Sequence, residues 1–200
     1  MPRARTSADR ERRTLLPMTL SPPNPALRAC VVVPARNEEE LIASCLEALA
    51  AQERVANHEY EVLLIRDRCT DETEERAREI GGVHPSLTLH YLDSPGEGPG
   101  PARRVGMDAA CARLLQVGRP EGIRACTDAD TVVAPDWLAA QLRAVSEGAR
   151  AIGGRSSSPT MAPCPSTSGA GTRRRGACGM STFSPIPPAR HSTGSSRVPP

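Results

Sequence analysis

The residues of this chain that are able to do chemistry collect where apolar runs end. In "CTDADTVVAPDW", residues 126–137, an apolar stretch finishes in two carboxylates one residue apart, Asp128 and Asp130. Crowding like charges is costly unless a cation or hydrogen bonds compensate. If the chain turns between them, both can aim oxygens into one crevice. Hard divalent cations such as Mn²⁺ or Mg²⁺ take carboxylate oxygens and share their other positions with phosphates and water. An ion held that way stabilises charge on a leaving diphosphate. The plainer reading is a pair of solvated aspartates capping a turn.

Three further stretches share this placement. "PARNEEE" (34–40) reads as a helix start, with Asn37 as cap and glutamates set against the helix dipole. The loop before it is free to contact a ligand. In "RDRCTDET" (66–73), Thr70 and Asp71 suit capping, while Asp67 ends a strand and can face a ligand. "GEGPGPARRVG" (96–106) is a flexible loop feeding a helix N-terminus, an anion site in outline, with Arg103 and Arg104 close by. It lacks the Gly-Lys-Ser/Thr ending of a P-loop, and no Gly-x-Gly-x-x-Gly follows the first strand. The four His show no ligand spacing, no Ser-His-Asp or Cys-His set is arguable, and Cys69 without a base reads as structural.

The elements that must position these residues alternate regularly from residue 28. "RACVVVP" (28–34), "YEVLLIRD" (60–67), "LTLHYLD" (87–93) and "GIRACTDAD" (122–130) read as strands, the first two buried on both faces. Between them, helices are predicted over 38–52, with Leu41, Ile42, Cys45, Leu46 and Leu49 on one stripe, over about 71–80, and over about 102–117. Asp136 is placed to cap a last helix carrying Leu138, Leu142 and Val145, and "AIGG" (151–154) starts a fifth strand. Alternation of this kind argues for an α/β layer with a mostly parallel sheet, whose ligands gather at the carboxyl ends of the strands. Pro34–Glu38, Asp67, Asp128 and Asp130 all fall there.

Two hundred residues suffice for one ordinary domain, and a net charge of +2 points to no particular partner. Aromatics make up 2% of the chain, too few for base stacking, so a nucleic-acid partner is not expected. The seven Cys are scattered without ligand spacing, as reduced thiols of a cytoplasmic protein would be. "TLLPMTL" is short and broken by Pro17, so no secretory signal or integral membrane segment is expected. Three parts follow: a disordered N-terminal extension (1–27), an α/β domain (28–155), and a low-complexity disordered tail (156–200). In that tail 28 of the 45 residues are Ser, Thr, Pro or Gly, too little apolar surface to offset the ordering entropy. The pattern stops within "IGGRSSSPT" before a fifth strand could be covered, which favours a truncation or reading-frame shift after about residue 155 over a natural tail.

Taken in order, "VVVPARNEEELIASCLEALAAQ", "EVLLIRDRCTDETEERA", "GEGPGPARRVGMDAA" and "ACTDADTVVAPDWL" resemble the family 2 glycosyltransferases over roughly residues 28–155. The resemblance implies a Rossmann-like GT-A fold, a three-layer α/β sandwich with a mostly parallel sheet, here incomplete. It also implies an inverting, metal-dependent transfer of a sugar from a nucleoside-diphosphate-sugar donor to an unknown acceptor. Carried over by resemblance, Pro34, Arg36, Asn37, Glu38 and Asp67 hold the base and ribose, and Arg103 approaches the nucleotide or its phosphates. Asp128 helps hold the nucleotide-sugar, and Asp130, with Asp128, binds the Mn²⁺ or Mg²⁺ ion. The departures are Arg66-Asp67-Arg68-Cys69 where the family has Asp-Asp-Gly-Ser, and Arg104 where it usually has Asn. The family's catalytic base lies downstream, and residues 156–200 contain no Asp or Glu to match it. The chain by itself is therefore expected to bind donor weakly and turn over little. Two other readings stand beside this one: a nucleotidyltransferase of related fold, and a non-catalytic remnant or binding module.

Overall fold

Every residue of "ACVVVPA" except Pro34 is buried, which requires a strand covered on both faces, and Ala29–Ala35 forms that strand, β1. The computed structural model describes residues 20–96, 98–156 and 181–185 of the chain. After β1 come α1 (Ile42–Ala50), β2 (Tyr60–Arg66), α2 (Thr73–Val83), β3 (Leu89–Asp93), α3 (Pro99–Gln116), β4 (Ile123–Cys126) and α4 (Trp137–Ser146). β1 to β4 make one parallel sheet in the order β3-β2-β1-β4. The chain thus builds outward from β1 to one side and then returns to its other side. The strand order reverses between β1 and β4, and an open α/β sheet binds ligands at the carboxyl end of such a point.

Alternate residues feed two cores. Val31, Val33, Val62 and Leu64 pack with Ile42, Leu46 and Leu49 of α1, Ala77 of α2, and Trp137 and Leu138 of α4. Cys30, Val32, Leu63 and Ile65 face the other way, onto Ala102, Ala109, Ala110 and Leu114 of α3. This is a three-layer α/β/α sandwich. Each fully buried Val, Leu or Ile contributes about 1.5–3 kcal/mol, so these two cores dominate the stability of the sheet. The small residues of α3 let it lie close to the strands. A Cβ on Gly106 would sit 2.2 Å from Val32 Cγ1.

Several boundaries differ from the sequence expectation. α1 starts at Ile42 rather than residue 38, because Asn37 (φ 55°) bends the backbone and Glu38–Leu41 forms a turn. Asn37 caps nothing on α1. Its Oδ1 accepts from the Thr70 amide at 2.9 Å instead. α3 begins at Pro99, with Gly98 as N-cap at φ 104°, a turn earlier than residue 102. β4 ends at Cys126, where its pairing with β1 runs out, so Asp128 and Asp130 lie in the loop beyond it and not within a strand. Asp136 precedes α4 without a side-chain cap, whereas Asp71 Oδ1 accepts from the amide of Thr73, the first residue of α2, at 3.2 Å.

The fifth strand, β5 (Ile152–Ser156), does not join the four-stranded sheet. It pairs antiparallel with β6 (Ser181–Pro185), a segment in which no strand period is legible. The segment expected to be an unstructured extension up to residue 27 ends in Leu27, which is fully buried in the α3-side core. Residues 1–19 and most of 156–200 lie outside the described residues. Among the described residues no helix is long and apolar enough to cross a membrane.

Candidate functional site

A cleft of about 280 Å³ opens at the carboxyl ends of β1, β2 and β4. It is lined by Pro34, Arg36 and Glu38 after β1, Asp67 after β2, Arg103 of α3, and Asp128 and Asp130 after β4. Every sequence-predicted site residue except Asn37 is among its walls. Asn37 is exposed and ties the β1 loop to the β2 loop through Thr70.

Two stitches fix that β1 loop. The Glu38 amide donates to Thr73 Oγ1 at 2.8 Å, and the Glu39 amide donates to Asp71 Oδ2 at 3.2 Å. Asp71 in turn accepts from the Thr73 amide at 3.2 Å. The residues expected to cap α2 therefore hold the neighbouring loop, which places Glu38 at the cleft.

Asp67 is the most enclosed charged group of the site, at 2% exposure. Its Oδ1 accepts a 2.7 Å hydrogen bond from Ser94 Oγ, and its Oδ2 lies 3.9 Å from Arg36 Nη1. Ser94 directly follows β3, so three strand ends contribute to this one carboxylate. Arg68 takes a left-handed conformation (φ 54°) beside it and lays its stem along Gly96, which has φ 83°. A Cβ on Gly96 would displace the exposed Arg68 stem, and the left-handed φ there favours glycine.

Beyond β4 the loop alternates. Ala129 turns into the core at 2% exposure, while Asp128 and Asp130 on either side of it face the cleft. A turn bond from the Thr131 amide to the Asp128 carbonyl, 3.1 Å, closes this arrangement. Arg103 Nη2 donates to Asp128 Oδ1 in a close ion pair. That pairing holds the Arg103 guanidinium above its usual range. Arg104 points away and meets Asp108 at 3.9 Å on the exposed side of α3.

The electrostatics are uneven. Burial, followed by the charges of Asp130, Asp71 and Asp128, raises the Glu38 carboxyl above its ordinary value. Hard oxygens crowded together in this way suit a divalent cation, which Asp130 and Asp128 could hold. Among the described residues no three His, Cys, Asp or Glu side chains converge to hold a metal by themselves. A cation here would complete its shell with ligand oxygens and water.

Sequence reasoning missed Ser94, Thr73 and the small residues Ala102 and Ala129. Ser94 had a signal, since it follows the third predicted strand directly, at the edge where the other candidates lie. Thr73 had none, because its partner is 35 residues away.

Residues 30–162 match the family described as "Glycosyl transferase family 2", which is more than half of the chain. The chain belongs to glycosyl transferase family 2. This family 2 chain is 32% identical over 126 residues to a Drosophila melanogaster protein named dolichyl-phosphate beta-glucosyltransferase, covering 57% of the chain and 39% of that protein. It is 27% identical over 125 residues to glycosyltransferase AglE of Haloferax volcanii, covering 62% of the chain and 38% of that protein. The family 2 chain thus spans less than two-fifths of the length of these curated relatives. Among solved structures, it resembles S. aureus TarS 1-349 in complex with UDP at a TM-score of 0.53 and 21% identity, covering 70% of the chain and 38% of TarS 1-349. That likeness concerns the fold.

Proposed function

We propose that this chain carries the donor site of a glycosyltransferase that moves a sugar from a nucleoside-diphosphate-sugar to an acceptor, with a divalent cation and inversion at the anomeric carbon. The observation that carries the reading is the cleft itself. Four segments spanning residues 34–130 deliver two arginines and four carboxylates to the switch point of the sheet. An all-acidic cleft would suit a cation alone, and an all-basic one an anion alone. Mixed charge suits an anion that arrives with its cation.

In this reading Asp67, aligned by Ser94, accepts from a ring N–H of the base, and Pro34 with Ala35 forms the apolar wall beside it. Arg36 and Arg103 face the phosphates. Asp130 and Asp128 would hold the cation, which would supply Lewis-acid stabilisation of the leaving diphosphate. The acceptor hydroxyl needs a base to take its proton as it attacks. Asp67 and Asp128 are already engaged by Ser94 and Arg103, and no described residue is assigned that role. The names of the relatives support sugar transfer as the reaction class. Among the described residues no cysteine is joined in a disulfide, which fits a reducing compartment such as the cytoplasm.

The test is calorimetric titration of the folded chain with UDP and GDP, each with and without Mn²⁺. Binding that requires Mn²⁺ is expected, and Asp130→Ala should abolish the Mn²⁺ requirement together with most of the affinity. A folded chain that binds no nucleoside diphosphate in Mn²⁺ would refute the donor site. Binding that survives Asp130→Ala unchanged would refute the metal role alone.

A further inference from the structure

The charge bookkeeping of the cleft leaves one contact that the donor site cannot keep. Asp128 is assigned to the cation and nucleotide-sugar, and Arg103 to the phosphates, yet the two side chains are bound to each other. Both are reachable by ligand: Arg103 is 43% and Asp128 56% exposed. Among the described residues Arg103 has no second carboxylate partner, whereas it does approach the Cys126 thiol at the end of β4. Asp130, two residues on, has no cationic partner among the described residues, and its carboxylate meets only Thr131 Oγ1 at 3.4 Å. The guanidinium therefore stands where a cation would otherwise neutralise the loop after β4.

Building on the proposed donor site, we infer that Arg103 is an exchangeable counter-ion: it neutralises Asp128 in the ligand-free protein and transfers to the diphosphate when donor and cation arrive together. The chemistry of the three partners drives the exchange. A guanidinium binds phosphate oxygens at least as well as a single carboxylate, through paired N–H donors in a fixed fork. A hard divalent cation gains more from Asp128 than the guanidinium does. Either ligand alone leaves one group uncompensated: cation without diphosphate must evict Arg103, and diphosphate without cation meets Asp128, Asp130 and Glu38 unshielded. The two ligands should therefore bind with positive coupling, and the coupling should pass through this pair. Such couplings are typically about 5–150-fold in affinity and are reciprocal.

Arg103→Met keeps the apolar stem on α3 and removes the charge. Mn²⁺ binding without nucleotide, followed by the loss of free-ion electron paramagnetic resonance signal, is expected to tighten about tenfold in this variant. UDP or GDP binding at saturating Mn²⁺ is expected to weaken by a similar factor. In an Asp128→Asn background, Arg103→Met should no longer change Mn²⁺ affinity, which a general effect on folding would not produce. Arg103→Lys, which retains a charge, should stay near wild type in Mn²⁺ affinity. Unchanged or weaker Mn²⁺ binding in Arg103→Met, with nucleotide binding by the wild type intact, overturns the exchange and leaves the donor site standing. Absence of any nucleoside diphosphate binding by the folded wild type removes both.

Discussion

Ser94 Oγ donates a 2.7 Å hydrogen bond to Asp67 Oδ1, joining the residue after β3 to the residue after β2 inside the protein. Ser94 also accepts from the Gly96 amide at 3.3 Å, so the hydroxyl organises the start of the loop that leads into α3. Ser94→Ala leaves a buried carboxylate oxygen without its donor, a loss of about 1.5–3 kcal/mol for a bond to a charged group. Urea unfolding should show that loss, and calorimetry should show nucleoside diphosphate binding weakened several-fold. Stability lost with affinity unchanged would mean that the orientation of Asp67 does not matter to the donor.

α3 is seated by Gly106, one turn after Arg103. In Gly106→Ala the new methyl meets Val32 Cγ1 at 2.2 Å and Ile65 Cγ1 at 3.0 Å, both on short branched side chains with little room to move. Overpacking of this kind costs about 1–3 kcal/mol. The helix should lift from the sheet and carry Arg103 with it. Lower thermal stability together with weaker nucleotide binding is expected, and a variant as stable as wild type would show that the sheet face has slack.

On the α3 side of the sheet, far from the cleft, Glu61 is buried and held by Arg113, whose Nη2 donates to Oε1 at 2.9 Å. His90 Nε2 lies 3.5 Å from the same carboxylate, and Arg113 Nη1 donates to the Ser21 carbonyl at 3.0 Å. Burial raises the Glu61 carboxyl, but His90 and Arg113 more than reverse this and hold it at about 2, against 4.5 for a free one. Its folded value is the lower one, so the stabilisation is complete above pH 4.5 and is lost as pH falls toward 2. Arg113→Met strands the carboxylate, at a cost of about 3–5 kcal/mol near neutral pH. Unfolding curves between pH 2 and 7 should show the gap between variant and wild type closing at the acid end.

Glu38 behaves in the opposite sense. Burial and the carboxylates of Asp130, Asp71 and Asp128 raise it, so the folded protein binds its proton more tightly than the unfolded chain does. Its unfavourable contribution is therefore absent well below 4.5 and grows as pH rises through the folded value. Glu38→Gln should stabilise the ligand-free chain by about 0.5 kcal/mol at pH 8, because the group is partly exposed and solvent screens it. Thermal melts at pH 8 and pH 4 should show the gain only at the higher pH. A gain of equal size at both would point to packing and not to charge.

The amino-acid sequence by itself determined the layered α/β class, the four strands of the parallel sheet and the cleft's charged residues. Two regularities made them legible. Short, β-branched apolar runs such as "CVVV" and "VLLI" suit strands covered on both faces, and α/β sheets present their ligand contacts directly after such runs. Tertiary structure alone decided the partners. Ser94 and Asp67 are 27 residues apart, Glu38 and Thr73 35, and Arg103 and Asp128 25. Nothing local in the chain announces these pairs, because each hydrogen bond exists only once parallel strands bring their carboxyl ends to one edge. The same holds for the loop after β4. The sequence reads as a strand over 122–130, whereas pairing with β1 stops at Cys126, and Ala129 is buried while both aspartates line the cleft. It holds equally for β5, whose partner is β6 and not β4, since backbone pairing depends on which edge the folded chain leaves within reach.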